Sequence, residues 1–277
     1  MKIATFYDHI AEMARQESIT LAEALKTAKD LGVEALEVLS SNSKGKEQEI
    51  KSDLDAAGLS VSSLCAFMDF GKNTDLQAIE DIMTSADRLG TSRILVIPGF
   101  YDKTDSEQEK KEKWNQMIHM TRIFEDRAVA RGFTLVMEEF DSVESPISTI
   151  DGLNQFLSEM HHIGLAFDTG NFLYSEEDEL KAMDVLKDKI VYVHLKDRSF
   201  TMSDESAEKK ATVGGRVMYP SPVGQGVIKL EEIMKILKET GYHGDFTIEH
   251  YGAESQLTYL KESIDWLKKH DFFEKKS

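Results

Sequence analysis

The segment at residues 164–172, "GLAFDTGNF", begins as an apolar strand and ends in a carboxylate, Asp168, just before a glycine turn. A buried strand rarely carries a charged side chain unless that side chain is paired or functional. Three other strand-like segments end in the same way: "TLVMEEF" reaches Glu138, "IVYVHLKD" reaches His194 and "FTIEHY" reaches Glu249. Repeated polar strand ends of this kind indicate a parallel sheet that carries a site at its carboxyl edge.

Strand-like and helix-like segments alternate from one end of the chain to the other. The strand-like segments are "KIATFYD", "VEALEVL", "LSVSSLCAF", "SRILVIPG", "FTLVMEEF", "IGLAFDTGN", "KIVYVHLKD" and "GDFTIEH". Apolar residues in the segments between them recur at three and four positions, as in helices with one buried face. Several of these helices stop at a glycine suited to a left-handed cap, namely Gly32, Gly58, Gly90, Gly132 and Gly241.

Eight strand–helix units without a linker predict a single (β/α)8 TIM barrel domain over residues 1–277. A doubly wound open sheet is the competing architecture. A nucleotide-binding version of that sheet needs a glycine-rich turn after its first strand. The segment "FYDHIAEM" at that place contains no glycine, which favours the barrel.

Composition limits the classes of partner. The formal net charge is −17, which opposes binding to nucleic acid or to anionic membrane surfaces. Cys65 is the single cysteine, so an internal disulfide and a cysteine-rich zinc site are excluded. The first residues lack a signal-peptide pattern and no apolar run is long enough to span a membrane. We therefore expect a cytoplasmic protein with a small-molecule partner, and the sequence leaves a homo-oligomer open.

Strand parity places the four polar strand ends on one side of the sheet. Neighbouring residues of a strand point to opposite faces, so each strand has two sets of side chains, one on each face. In each of the four strands, one set is bulkier and apolar, and the other set contains the polar end residue. If the bulky sets face the helices, then Glu138, Asp168, His194 and Glu249 all face the barrel axis. Each interval between them is close to one strand–helix unit, except for an insertion at about residues 199–226.

Three carboxylates and one imidazole at a barrel mouth would repel one another unless a cation joined them. Oxygen-rich ligation with one histidine suits Mn²⁺, Mg²⁺ or Co²⁺, and Zn²⁺ is compatible. The simpler interpretation of any single residue is an ordinary polar strand end. The matching depth and parity of all four favour a metal site formed by Glu138, Asp168, His194 and Glu249.

These segments together resemble the xylose isomerase-like TIM-barrel superfamily of sugar isomerases and epimerases. The resemblance covers essentially the whole chain and rests on "LVME", "FDTGN", "VHLKD" and "TIEH" in this order, with "SPVGQGVIKLEEI" before the seventh helix. In the branch with ketose 3-epimerases and inosose or hydroxypyruvate isomerases, the matching residues bind one divalent metal ion. The resemblance also implies that Glu138 and Glu249 are catalytic and move protons.

The implied activity is metal-dependent isomerisation or epimerisation of a ketose, an inosose or a related sugar, phosphorylated or not, through an enediolate. Asn171 departs from the pattern, because ketose 3-epimerases commonly carry a histidine at that place. A dehydratase of the inosose or dehydroshikimate type is the alternative enzyme, and a degenerate sugar-binding module is the non-enzymatic one. A DNA-repair endonuclease on this fold would need more histidines than the 8 present, and a basic face.

Five further residues are candidates for substrate binding: Asn171, Lys196, Arg198, His9 and Glu37. Lys196 could polarise a substrate oxygen, or it could neutralise Asp197 or Glu249. Arg198 could reach an anionic group, although a solvated loop arginine is the simpler interpretation. His9 could contact substrate or lie in a surface loop, and Glu37 ends the second strand with the parity of a pocket residue. The insertion at 199–226 is long enough to act as a lid.

Overall fold

The computed structural model describes residues 1–202 and 204–270, and ten strands lie within them. They are β1 (Ile3–Phe6), β2 (Ala35–Leu39), β3 (Ser60–Phe67), β4 (Arg93–Ile97), β5 (Thr134–Glu138), β6 (Gly164–Asp168), β7 (Ile190–Ser199), β8 (Lys210–Ala211), β9 (Val217–Ser221) and β10 (Phe246–Glu249). All strands except β8 and β9 pair in parallel, and β10 closes the ring by pairing with both β1 and β7. The predicted (β/α)8 barrel is confirmed.

Ten α-helices are described on the same part of the chain. They are α1 (Tyr7–Gln16), α2 (Leu21–Leu31), α3 (Ser40–Ser43), α4 (Glu47–Ala56), α5 (Leu76–Leu89), α6 (Glu107–Ala130), α7 (Ile150–Ser158), α8 (Glu179–Leu186), α9 (Leu230–Glu239) and α10 (Gln256–Lys269). Capping boxes start α2 at Thr20 and α6 at Ser106. The five glycines predicted to end helices all have positive φ angles. Within residues 1–202 and 204–270, no helix is both long enough and apolar enough to cross a membrane.

The first helix-like segment of the sequence starts at Thr20, so helix α1 has no counterpart in the sequence pattern. It starts directly after β1, and its N-cap residue, Phe6, offers no side-chain hydrogen bond to the first turn. A start signal of the usual polar kind is therefore missing from the sequence. The helix buries Ile10, Met13 and Ala14 against the barrel, so tertiary packing supplies what local capping does not.

Apolar side chains fill two layers. The main layer lies between the sheet and the helices, and a smaller cluster lies inside the ring, formed by Cys65, Leu95, Ile97, Val136, Ala166 and Tyr192. The inner cluster is fully buried or nearly so. It fills the interior of the ring beneath the polar strand ends.

The insertion after β7 is held by one carboxylate. Oδ1 of Asp197 accepts hydrogen bonds from the backbone N–H groups of Arg198 and Ile228, and Oδ2 accepts from those of Gly224 and Gly226, at 2.8–3.2 Å. A Cβ at Gly226 would lie 2.1 Å from Oδ1 of Asp197. The two glycines of the "GQG" segment therefore permit the backbone to wrap around this carboxylate.

The insertion itself forms a hairpin of β8 and β9 that packs on the barrel mouth. The N–H of Val213 donates to the carbonyl of Tyr174 at 2.9 Å, and the N–H of Glu208 donates to the carbonyl of Gly252 at 2.9 Å. These contacts tie the hairpin to the loops after β6 and β10. The hairpin is thus a wall of the mouth in this structure, and a lid motion stays a prediction.

Candidate metal centre and active site

The four strand-end residues converge, as their parity predicts. Each of Glu138, Asp168, His194 and Glu249 offers one ligand atom, and these atoms all lie within 4.8 Å of one another. The four residues come from β5, β6, β7 and β10, and all are buried. A group of ligand atoms this close, rich in oxygen and with one imidazole, has the composition of a divalent metal site.

The hydrogen bonding of the cluster tests whether its residues fit a metal ion. Oε1 of Glu138, Oδ2 of Asp168 and Nδ1 of His194 are buried and make no hydrogen bond of acceptable geometry among the described residues, although each has a polar neighbour. Nδ1 lies 2.6 Å from Oε1 of Glu138 and 3.3 Å from an oxygen of Glu249. Buried polar atoms without partners are unfavourable, and a shared cation would satisfy all of them at once. The residues therefore fit a divalent metal ion.

The "FDTGN" segment explains how Asp168 presents one oxygen. Its Oδ1 accepts hydrogen bonds from the backbone N–H groups of Gly170 and Asn171, each at 2.7 Å. The turn thereby fixes the carboxylate and leaves Oδ2 directed at the cluster. An Asp at the end of a strand, followed by a tight turn, can thus have its carboxylate held in one orientation by backbone hydrogen bonds, as a metal-binding residue requires.

Glu37 supports the cluster from below. Its Oε2 lies 3.0 Å from Nε2 of His194 and accepts a hydrogen bond from the hydroxyl of Tyr192 at 2.7 Å. The Nε2–H group of His194 therefore points to Glu37, which leaves Nδ1 free to act as a metal ligand. Glu37 does not line the cavity above the cluster. We therefore correct its assignment from a substrate contact to a residue that orients His194.

The charges of the cluster shift the pKa values of its members. Burial raises the pKa of Glu138 to about 8, although the neighbouring His194 opposes the shift. Burial acts to lower the pKa of His194, but Glu138 and Glu37 outweigh it and raise that pKa well above its usual value. In the absence of a cation, the raised pKa values favour protons on Glu138 and His194. A divalent ion would supply the same positive charge and displace protons, because ligands bind in their deprotonated forms.

Lys196 is the next axis-facing residue of β7 after His194. Its ammonium group contacts the carboxylate of Glu249, lies 3.3 Å from Asp168 and donates to Oδ1 of Asn171 at 2.7 Å. Burial acts to lower the pKa of Lys196, but Asp168 and Glu249 outweigh it and raise that pKa. Lys196 therefore neutralises Glu249, one of the two carboxylates proposed from the sequence. It does not pair with the other, Asp197, which points to the opposite face of the strand.

A cavity of about 250 Å³ lies above the cluster. Its polar lining comprises Glu138, Asp141, Asn171, Lys196, Arg198, Glu208, Lys210 and Glu249, and its apolar lining comprises Phe6, Leu39, Cys65, Phe67, Phe140 and Tyr251. Small-molecule sites combine apolar walls with a few placed polar groups in this way. Glu138 and Glu249 of the cluster line the cavity, so a bound molecule would meet their carboxylates directly.

Two predicted residues lie elsewhere than expected. Arg198 is not a solvated loop residue: it is 7% exposed and lines the cavity. His9 is not in a surface loop either, because it lies in α1, is 2% exposed and stacks on His250. Nε2 of His9 accepts the backbone N–H of His250, and His9 does not line the cavity. We therefore do not assign His9 to the substrate.

Sequence reasoning missed nine of the residues that line the cavity, among them Asp141, Lys210 and Tyr251. Asp141 lies three positions after Glu138 and Tyr251 two positions after Glu249, so proximity to predicted ligands could have found both. Lys210 lies within the insertion, where no sequence pattern predicts a contact with the barrel mouth.

The closed barrel and the cluster at its carboxyl-terminal end define a (β/α)8 protein with residues that could bind a metal ion. A family profile described as xylose isomerase-like TIM barrel matches residues 25–270. The chain belongs to this family, which confirms the resemblance noted from its motifs.

Curated relatives are named inosose dehydratase. The protein from Geobacillus thermodenitrificans is 27% identical over 146 residues, which cover 50% of this chain and 47% of the relative. The protein from Clostridium botulinum strain Eklund 17B is 29% identical over 143 residues, which cover 50% and 47%. The chain thus spans about half the length of the curated relatives it matches.

Solved structures share the fold over almost the whole chain. A probable 3-DHS dehydratase from Bacillus anthracis has a TM-score of 0.71 at 17% identity and covers 97% of this chain and 99% of its own. The 3-keto-D-glucoside 4-epimerase from E. coli has a TM-score of 0.69 at 18% identity, with the same coverage. A xylose isomerase-like protein from Mycobacterium smegmatis, in complex with magnesium, has a TM-score of 0.65 at 21% identity, covering 90% and 87%.

Proposed function

We propose that this chain is a divalent-metal-dependent enzyme that removes a proton next to the carbonyl of a small sugar or polyol. The product would be an isomer or epimer of a ketose, an inosose or a related compound. The observation that carries this proposal is the cluster of Glu138, Asp168, His194 and Glu249 at the floor of a cavity of about 250 Å³. Mn²⁺, Mg²⁺ or Co²⁺ suits these ligands, and Zn²⁺ is compatible. The magnesium complex of the related Mycobacterium smegmatis protein supports a metal of this class.

A bound divalent cation would polarise the carbonyl and the neighbouring hydroxyl of the substrate. This would make the proton on the carbon atom next to the carbonyl more acidic. Glu138 and Glu249 lie on β5 and β10, three positions apart around the ring of eight strands. Their carboxyl groups can therefore flank a bound carbon chain, so that one accepts the proton and the other returns it. Lys196 contacts Glu249 and stays protonated, so it acts as a fixed positive charge.

A dehydratase is the second candidate, and two observations favour it. The curated relatives are named inosose dehydratase, and one solved structure of the same fold is a probable 3-DHS dehydratase. Removal of the same proton leads to loss of water when a hydroxyl group lies β to the carbonyl and an acid protonates it. The carboxylic acid that forms on Glu138 or Glu249 when it accepts the substrate proton could supply this proton.

Proton exchange in D₂O tests the proposal. The metal-loaded protein is incubated with a panel of ketoses, inososes and cyclic hydroxyketones, and products are followed by NMR and mass spectrometry. Deuterium uptake at one carbon supports an isomerase or epimerase, while loss of water supports the dehydratase. Glu138→Gln and Glu249→Gln should each abolish the signal, and Glu159→Gln, at an exposed ion pair, should not. Neither exchange nor water loss across the panel would support the sugar-binding module instead.

A further inference from the structure

Two cations at the cavity mouth share a single carboxylate. Nη2 of Arg198 lies 3.3 Å from Oδ2 of Asp141, and Nζ of Lys210 lies 2.7 Å from Oδ1 of the same residue. All three side chains line the cavity. Glu208 also lines it, but that residue is exposed to solvent and its charge is well hydrated.

Arg198 is engaged only in part. It is 7% exposed, and its Nε–H group has no hydrogen-bond partner among residues 1–202 and 204–270. Its contact with Asp141 is longer than the 2.7–2.9 Å typical of a charge-assisted pair. A buried guanidinium with unused donors is suited to an anion that accepts two parallel hydrogen bonds.

The metal cluster does not need this charge. A divalent cation and Lys196 together balance the three ligand carboxylates, while Glu37 lies below them against His194 and Tyr192. Arg198 and Lys210 therefore face one buried carboxylate, Asp141, and one positive charge at this part of the mouth is left for a ligand.

The strand sets the distance between the two parts of the cavity. His194, Lys196 and Arg198 share the axis face of β7, and each step of two residues advances about 6.6 Å along a strand. The anion site thus lies towards solvent from the reacting end. A substrate whose charge lies at the end remote from the reacting carbon matches this arrangement.

From these contacts we infer that the substrate carries a terminal anionic group, a carboxylate or a phosphate, which Arg198 and Lys210 bind. This inference rests on the proposed function for the reacting end of the molecule. Asp141 competes with the substrate anion for the two cations, and the hairpin of β8 and β9 contributes to specificity through Lys210.

Binding of unreactive probes tests the inference separately from catalysis. Sorbitol and sorbitol 6-phosphate have no carbonyl group, and gluconate has only a carboxylate, so none of the three carries the ketone on which the proposed reaction depends. Their affinities for the full-length protein loaded with Mg²⁺ are measured by calorimetry at fixed ionic strength. We expect at least one of the two anions to bind tenfold or more tightly than sorbitol, and the stronger of the two distinguishes phosphate from carboxylate.

Variants show which residues cause the preference. Arg198→Met and Lys210→Met should each reduce it to less than threefold while changing the affinity for sorbitol by less than threefold. Asp141→Asn should increase the preference, because it removes the competing carboxylate, whereas a purely structural ion pair predicts no gain. Arg122→Met, at an exposed pair with Glu159, is the matched control.

The inference is overturned if wild-type protein shows no preference for either anion, or if the preference survives both Arg198→Met and Lys210→Met. Survival would mean that the anion binds the metal ion instead, as an α-hydroxycarboxylate can. If Arg198→Met does not fold, Lys210→Met and Asp141→Asn decide the question, since they predict changes in opposite directions. Anion preference without deuterium exchange would refute the proposed function alone, and exchange without preference would refute this inference alone.

Discussion

Replacing Glu37 with glutamine should weaken metal binding without touching a metal ligand. Glu37 is fully buried, and its Oε2 faces both Nε2 of His194 and the hydroxyl of Tyr192. Glutamine keeps the volume and a carbonyl oxygen but loses the negative charge that orients His194 and increases its basicity. Such supporting residues typically contribute about 10- to 100-fold in metal affinity, or about 1.4–2.7 kcal/mol.

The measurement is the dissociation constant for Mn²⁺ of wild type, Glu37→Gln and Tyr192→Phe, by calorimetry at one pH. Tyr192→Phe is the matched control, because it removes a hydroxyl from the same oxygen of Glu37 but leaves the contact with His194 in place. We expect the control to bind within about threefold of wild type. An affinity of Glu37→Gln within threefold of wild type would refute the role of Glu37, and so would an equal loss in both variants.

Three further predictions concern stability. Asp197→Asn places an amide N–H group against two of the four backbone N–H donors around Asp197. We therefore expect the free energy of unfolding to fall by about 2–4 kcal/mol and the melting temperature to fall by about 5 °C. Asp188→Asn, at an exposed residue, is the control and should change the melting temperature by less than about 1 °C. Burial lowers the pKa of His250 to about 4, so the unfolded chain binds a proton that the folded chain does not, and stability falls as the pH drops from about 6.5 to about 4. Urea denaturation should show that wild type loses about 2 kcal/mol more unfolding free energy than His250→Asn between pH 7 and pH 5. Parallel pH profiles of the two proteins would contradict the assignment. Mn²⁺ at 100 times its dissociation constant should stabilise wild type by about 2.7 kcal/mol, measured by calorimetry as a rise in the melting temperature. An equal rise in Glu138→Gln would argue against the metal site.

The residues that sequence reasoning predicted well are those whose placement depends on local rules. The period of two along a strand assigns each residue to a face, and the carboxyl ends of barrel strands meet at one rim. These two rules were enough to bring Glu138, Asp168, His194 and Glu249 together. The eight-unit barrel follows from alternation in the same way.

The residues that it misplaced depend on contacts across the barrel. Glu37 lies on β2 and His194 on β7, which are separated in the ring by β1 and β10, so their contact depends on the stagger of the closed sheet. Lys210 reaches the cavity only because its hairpin packs on neighbouring loops. Helix α1 has no capping residue that local sequence could reveal.

At the outer end of β7, successive residues alternate between facing the cavity and anchoring the insertion. Lys196 and Arg198 point into the cavity, while Asp197 between them points outward and holds the insertion. Removing or adding a single residue here would exchange the two faces, so that a cavity cation would meet the backbone N–H groups and the anchoring carboxylate would enter the cavity. Length variation among relatives of this chain should accordingly be absent between residues 194 and 199 and concentrated at the hairpin turn near residues 213–215.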